Sequence, residues 1–307
     1  MEKLIIYNKN STEGLAEIED CSIDLIITSP PYFNLIDYGV KDQLGYDDTY
    51  PEYLNKLHAI LDSFIRVLKN DRFIAINIGD VVYKKSYGKN DVNLLIPIQS
   101  DIIQYFTNQG ITLFRHIKWF KPDTSYHARG AQYQGYFFPR RVAPQFNSEH
   151  ILVFYKNFST VVAKTECKKR YESFNYDGIP SEMMNDYSSE VWDIPTVSKI
   201  EKIQHPACFP EEIPYRLIKL FSFENELILD PFMGRGTTLK MALATNRNCI
   251  GYELNQEYIN YFLNEYLDTP IKCNDYYLSK LYDLLKKQPS ILSGLSVQTI
   301  GEKTVIK

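Results

Sequence analysis

Two periods of apolar residues alternate along the chain. Short apolar runs bounded by turn residues predict buried strands at Leu4 to Tyr7, Asp24 to Thr28, Arg72 to Ile78, Ile111 to Phe120, His150 to Tyr155, Leu227 to Asp230 and Cys249 to Glu253. Between them, three- and four-residue spacing predicts amphipathic helices. The clearest runs from Tyr50 to Lys69, where Tyr53, Leu54, Leu57, Ile60, Leu61, Phe64, Ile65 and Leu68 recur at that spacing, with Pro51 and Glu52 at its start. Others are expected at Leu94 to Asn108, at Glu211 to Phe221 and from the Gly236 turn through Ala244, with a turn of helix at Ser11 to Glu19 opened by Ser11 or Thr12. Strand alternating with helix implies an α/β fold with a doubly wound, mostly parallel sheet.

The periodicity dissolves between Pro122 and Asn147, where aromatic residues and arginines interleave, and again over 157–199, which Val191 to Pro195 would anchor back to the core. A structureless stretch of this length inside a domain is usually functional or disordered, and its aromatics argue against plain disorder. Residues 115 to 172 carry eleven cations and four anions, a net of +7, in a chain whose formal net charge is −4. Cations with rings between them suit phosphate contact and base stacking, so Arg129, Arg140, Arg141, Lys168, Lys169 and Arg170 are candidate nucleic-acid-binding residues. The plainer alternative is a solvated loop. Past residue 267 a helix-like stretch, Tyr276 to Lys287, precedes two short strand-like runs, Val297 to Ile300 and Thr304 to Ile306, with no evident function.

At 307 residues and 44% apolar composition, the chain can build one large domain with an insertion or two modest ones. Its five cysteines are scattered singly, without a C-x-x-C pair or histidines at ligand spacing, so no structural metal site and a reduced compartment are expected. No run approaches the roughly 20 apolar residues of a spanning helix, and the apolar start is too short for a signal peptide. The expected location is cytoplasmic, with no membrane partner.

Chemistry enters where the strand ending at Thr28 meets Ser29-Pro30-Pro31-Tyr32. Prolines cannot donate to a sheet ladder, so the chain leaves the sheet as a stiff loop over the carboxyl edge, where open α/β sheets keep their ligands. The loop presents a hydroxyl, a proline carbonyl and a flat ring. Together they suit a planar heterocycle with an amino group, the ring stacking and the two oxygens accepting amine protons.

A second constellation lies 200 residues on. Strand Leu227 to Asp230 opens into Pro231-Phe232-Met233-Gly234-Arg235-Gly236-Thr237-Thr238 and a helix, a cradle whose glycines let backbone N–H groups approach an anion. The third glycine of a dinucleotide site is absent, Leu239 standing in its place, which argues against NAD. The next strand ends in Glu253, about twenty residues after the glycines, the position from which a carboxylate takes both ribose hydroxyls.

Thr28-Ser29-Pro30-Pro31-Tyr32 resembles the catalytic motif of the amino-group methyltransferases that act on DNA, in the version typical of enzymes that methylate the exocyclic nitrogen of cytosine. Asp230 to Thr238 with Glu253 resembles the S-adenosyl-L-methionine site of the same family, and His205 to Phe221, with Phe209, the element flanking the donor's methionine end. With the donor cradle after the Pro-Pro-Tyr loop and a basic region between them, the order resembles the permuted, beta class of bacterial enzymes of restriction-modification systems. That resemblance implies a Rossmann-like methyltransferase core at 1–121, 148–156 and 200–267, target recognition at 122–147 and 157–199, and a tail at 268–307. It implies Ser29, Pro30, Pro31 and Tyr32 as catalytic residues. Asn10, Thr28, Phe209, Asp230, Pro231, Phe232, Gly234, Gly236, Thr237, Thr238 and Glu253 would hold the donor, Asn10 standing where the family carries an acid that contacts adenine. Double-stranded DNA and a cognate restriction endonuclease are the implied partners. Adenine N6 methylation, modification of RNA or a protein amide, and a non-catalytic nucleic-acid-binding protein are the alternatives. A carbon-5 cytosine mechanism would need a Pro-Cys nucleophile, which the chain lacks.

Overall fold

All six residues of Ile23–Thr28 are buried. A strand with no solvent face belongs in the middle of a sheet covered on both sides. The computed structural model of the chain describes residues 3–87, 90–122, 134–135, 142–143, 147–157, 179, 181–197, 208–266 and 297–306.

In chain order the first half contains β1 (Leu4–Tyr7), β2 (Ile23–Thr28), α1 (Tyr50–Val67), β3 (Leu68–Ile78), β4 (Val81–Tyr87), β5 (Asn90–Ile96), α2 (Ile98–Asn108) and β6 (Thr112–Phe120). Two short strands, β7 (Gln134–Gly135) and β8 (Val142–Ala143), pair with each other before β9 (Ser148–Lys156). Then come α3 (Ser181–Ser188), β10 (Val191–Asp193), α4 (Glu212–Phe221), β11 (Leu227–Asp230), α5 (Thr237–Ala244), β12 (Asn248–Tyr252) and α6 (Gln256–Tyr261). The hairpin β13 (Val297–Ile300) and β14 (Lys303–Ile306) closes the described chain.

Ten strands form one sheet in the order β10-β6-β9-β3-β2-β11-β12-β1-β14-β13. Its centre, β3-β2-β11-β12-β1, is parallel throughout. Alternate residues of each strand feed two cores: Leu25, Ile27 and Ile228 face α3, α4 and α5, whereas Ile26 and Leu229 face α1 and α2. Each fully buried aliphatic or aromatic side chain contributes on the order of 1.5–3 kcal/mol to this arrangement. The fold is a Rossmann-like, doubly wound α/β architecture with a mostly parallel sheet. Among the described residues, no helix is long and apolar enough to cross a membrane.

Several expectations are revised. β9 runs antiparallel between β3 and β6, because it starts at the sheet edge where those two strands end, Ser148 beside Phe120 and His150 beside Ile78. The helix expected from Leu94 begins only at Ile98: Pro97 biases Ile96 towards extended backbone, and Asn90–Ile96 pairs with Val81–Tyr87 as a hairpin. The Ser11 helix is a single 3-10 turn, Ser11–Glu13, capped by Asn10 and stopped by Gly14 at φ 99°. The sheet also takes in residues outside the expected core bounds, β10 beside β6 and the β13–β14 hairpin beside β1, so the end of the tail covers what would be an open edge. Tyr276 to Lys287 lies outside the described residues.

Candidate active site

β2 and β11 are adjacent parallel strands, with Leu25 opposite Ile228 and Ile26 opposite Leu229. The helix after β2 packs on one face and the helix after β11 on the other, so the crevice between them is a switch point of the topology, where such sheets bind ligands. Both motif loops leave the sheet here. Thr28 Oγ1 donates to Asp230 Oδ1 at 2.8 Å, a buried bond joining residues 202 apart in sequence. Phe232 N–H donates to the same carboxylate oxygen at 3.1 Å and so fixes the first bend of the cradle. Burial pushes the Asp230 carboxyl up to about 6, against the hydrogen bonds from Thr238, Thr28 and Phe232 that favour its ionised form.

One cavity is lined by Ser29, Pro30, Pro31 and Tyr32 together with Asn10, Phe209, Asp230, Pro231, Phe232, Gly234, Thr237 and Glu253. Thr28 and Thr238 are buried behind its wall. Gly236 is the left-handed N-cap of α5, at φ 84°. Arg129, Arg140, Arg141, Lys168, Lys169, Arg170 and His205 lie outside the described residues.

Within the cradle, the anion at the glycine turn is the chain's own Glu253. Its Oε2 accepts from Gly234 N–H at 2.9 Å and its Oε1 from Asn255 N–H at 2.7 Å. Each oxygen keeps a further lone pair, so the carboxylate is oriented without being saturated. Burial raises its carboxyl to about 7. Gly236 answers a different need: a Cβ there would stand 2.2 Å from Cδ2 of Phe262, so the turn tolerates only bare backbone. Asn10 reaches the cavity wall, but its Oδ1 accepts from Thr12 N–H and Thr12 Oγ1, and its amide donates to the Asp42 carbonyl.

In the proline loop, Tyr53 donates its hydroxyl to the Pro31 carbonyl at 3.0 Å. Among the described residues no donor reaches the Pro30 carbonyl. The Tyr32 hydroxyl donates to Glu149 Oε2 at 2.9 Å and accepts from Asn77 Nδ2 at 3.1 Å. Burial, then the Glu149 charge, holds the Tyr32 phenol well above its usual range, so the group stays a donor.

Asn77, Trp119, Lys121 and Glu149 line the same cavity without having been foreseen, as do Tyr38 and Cys208. The first four come from β3, β6, the residue after β6, and β9, which the sheet brings to one edge because β9 starts where β3 and β6 end. Tyr38 belongs to the loop after the motif, and its phenol is pushed up by burial and by nearby Tyr258, Glu253 and Cys208. No local pattern marks these residues, whose partners are supplied by tertiary structure alone.

The arrangement sets an oriented carboxylate and flat rings, Phe209 and Phe232, beside the Pro30 carbonyl, a hydroxyl and a fixed phenol ring. A DNA methylase family model matches residues 23–264. The Type II methyltransferase M.MjaI of Methanocaldococcus jannaschii is 32% identical over 268 residues, covering 78% of this chain and 84% of that protein. M.MthZI, a Type II methyltransferase of Methanothermobacter thermautotrophicus, is 31% identical over 280 residues, covering 82% and 73%. Among solved structures, TTHA0409 from Thermus thermophilus, complexed with S-adenosyl-L-methionine, superposes with a TM-score of 0.62 at 25% identity, over 87% of this chain and 93% of that one. The cytosine-N4-specific PvuII DNA methyltransferase shares the fold, with a TM-score of 0.61 at 17% identity over 94% of each chain.

Proposed function

The chain belongs to the N6/N4 DNA methylase family, and we propose on that footing that it methylates the exocyclic N4 of a cytosine turned out of duplex DNA. S-adenosyl-L-methionine is the cofactor, and when bound it supplies an electrophilic methyl group on a sulfonium sulfur. Glu253 would take the ribose hydroxyls. Asp230 and the Gly234 turn would face the methionine end, with Phe209 and Phe232 as apolar walls and Asn10 near the adenine.

An amino group conjugated to its ring is a poor nucleophile, since its lone pair is delocalised. Accepting its protons at the Ser29 hydroxyl and the Pro30 carbonyl would turn the nitrogen towards tetrahedral geometry and expose that pair. Among the described residues no donor occupies that carbonyl, which suits the task. Taking a base out of the duplex costs a few kcal/mol, which stacking on Tyr32, worth about 1–3 kcal/mol, would partly offset. The observation that carries this reading is the buried Thr28–Asp230 hydrogen bond, which seats the base loop against the donor cradle in one cavity.

Support for cytosine comes from Ser29, a short neutral acceptor where enzymes acting on adenine more often carry an acid or asparagine. The basic stretch between the motifs would recognise the site, and a cognate restriction endonuclease would be the partner against which the mark protects. The test is to incubate the chain with duplex DNA and S-adenosyl-L-methionine and to identify the modified nucleoside by chromatography and mass spectrometry. N4-methylcytosine is expected. N6-methyladenine would overturn the base assignment, and no methylated nucleoside at all would favour a non-catalytic DNA-binding protein.

A further inference from the structure

We propose that Glu149, clamped by Lys121 and Asn77, is a positioning residue that sets the plane of the Tyr32 ring against the target base. This rests on the reading of Tyr32 as the stacking surface. The Glu149 carboxylate gathers donors from three other segments. Its Oε2 accepts from the Tyr32 hydroxyl at 2.9 Å and from Asn77 Nδ2 at 2.8 Å, and its Oε1 forms an ion pair with Lys121 Nζ. Asn77 also donates to the Tyr32 hydroxyl, so the phenol oxygen is held from two directions.

The clamp is itself anchored. Lys121 Nζ sits 4.4 Å from the centroid of the Trp119 ring, and the indole N–H of Trp119 donates to the Ile194 carbonyl at 2.7 Å, just past β10. On its other side the Tyr32 ring packs on bare backbone: a Cβ on Gly79 would lie 2.9 Å from Tyr32 Cε2 and 3.3 Å from Glu149 Cγ. Stacking alone needs only a flat ring, which phenylalanine would provide. A hydroxyl tied to Glu149 and Asn77, with the Ser29 side chain as a further hydrogen-bond partner and a glycine as backstop, fixes the ring's tilt as well. Transfer to an amine lone pair is sensitive to that tilt, because productive geometry tolerates only about 10–20°.

Tyr32→Phe, Glu149→Gln, the double variant and Tyr32→Ala would be assayed for kcat, for KM towards duplex DNA and, by calorimetry, for S-adenosyl-L-methionine affinity. Glutamine keeps the size of Glu149 but replaces one acceptor oxygen with a donor, which must face either Lys121 or the Tyr32–Asn77 pair. Both single variants should lose roughly a hundredfold in kcat, with donor affinity unchanged and KM within a few-fold of the parent. The double variant should be no slower than either single one, because both cut the same tether. Full kcat in Tyr32→Phe beside an inactive Tyr32→Ala would overturn the clamp and leave the stacking reading intact. An active Tyr32→Ala would overturn the stacking reading itself. Additive losses in the double variant would mean that Glu149 acts elsewhere. Should Glu149→Gln fail to fold, full kcat in Tyr32→Phe still overturns the clamp, and Asn77→Ala, which leaves the Ser29 contact of the Tyr32 hydroxyl in place, should show the same loss, full kcat there overturning the clamp as well.

Discussion

The place of Glu253, at the end of the strand after the glycine turn and on the cavity wall, was legible from spacing. Its environment was not legible. Burial raises its carboxyl from 4.5 to about 7 and that of Asp230 from 3.8 to about 6. The folded chain therefore keeps protons that the unfolded chain releases, so these two groups lower stability as pH rises from about 4 towards 7, by at most about 1.4 kcal/mol per group and pH unit. Glu253→Gln removes its share of that slope. In thermal melts the parent should lose stability relative to this variant as pH climbs from 4.5 to 7, and the difference should level off above. A difference constant across that window would mean that the carboxyl is not shifted. Glu149 shows the opposite limit of sequence reading: as a lone acid before a strand it looked like one anion in a basic stretch, and only the return of β9 beside β3 gives it the hydroxyl of Tyr32, 117 residues away.

Elements were read best where a strong period met a plain stop. α1 emerged nearly as expected because its apolar stripe is unbroken and Glu52 accepts from the Thr49 N–H and hydroxyl to close its first turn. The β4–β5 hairpin was missed because Leu94, Leu95 and Ile96 fit the helical stripe of α2 until Pro97 intervenes. The glycine turn was recognised, but the reason for its second glycine was not. Gly236 combines a φ of 84° with the Phe262 ring, whereas a Cβ on Gly301, at φ 60°, would meet nothing within 4 Å. Gly301→Ala should cost only the left-handed backbone penalty, about 1–2 kcal/mol. Gly236→Ala should cost that plus an overpacking penalty of about 1–3 kcal/mol, and should weaken donor binding as the turn shifts. Chemical denaturation of the two variants checks the difference; equal losses would remove the Phe262 contact from the explanation.

At the scale of the whole molecule, motif order and strand–helix alternation were enough to give the parallel core, because each half of the site is a strand followed by its own loop. Charge was a coarser guide. Of the cations counted in the basic stretch, Lys156 is buried, its Nζ donating to the Ile65 and Leu68 carbonyls at 2.7 and 2.6 Å, and Lys121 is paired with Glu149. A composition count cannot separate such structural cations from those free to meet phosphate. The two loops, about 200 residues apart in sequence, line one cavity, and their proposed division of labour puts the target base on one and the donor on the other. The most direct test of that division is single-turnover transfer of a labelled methyl group from S-adenosyl-L-methionine to duplex DNA by the parent, Ser29→Ala and Glu253→Ala, alongside donor affinity by calorimetry. Ser29→Ala should bind donor like the parent and transfer at least about tenfold more slowly, while Glu253→Ala should bind donor more weakly and recover transfer at saturating donor. Parent-rate transfer by Ser29→Ala, or unchanged donor affinity in Glu253→Ala, would contradict it.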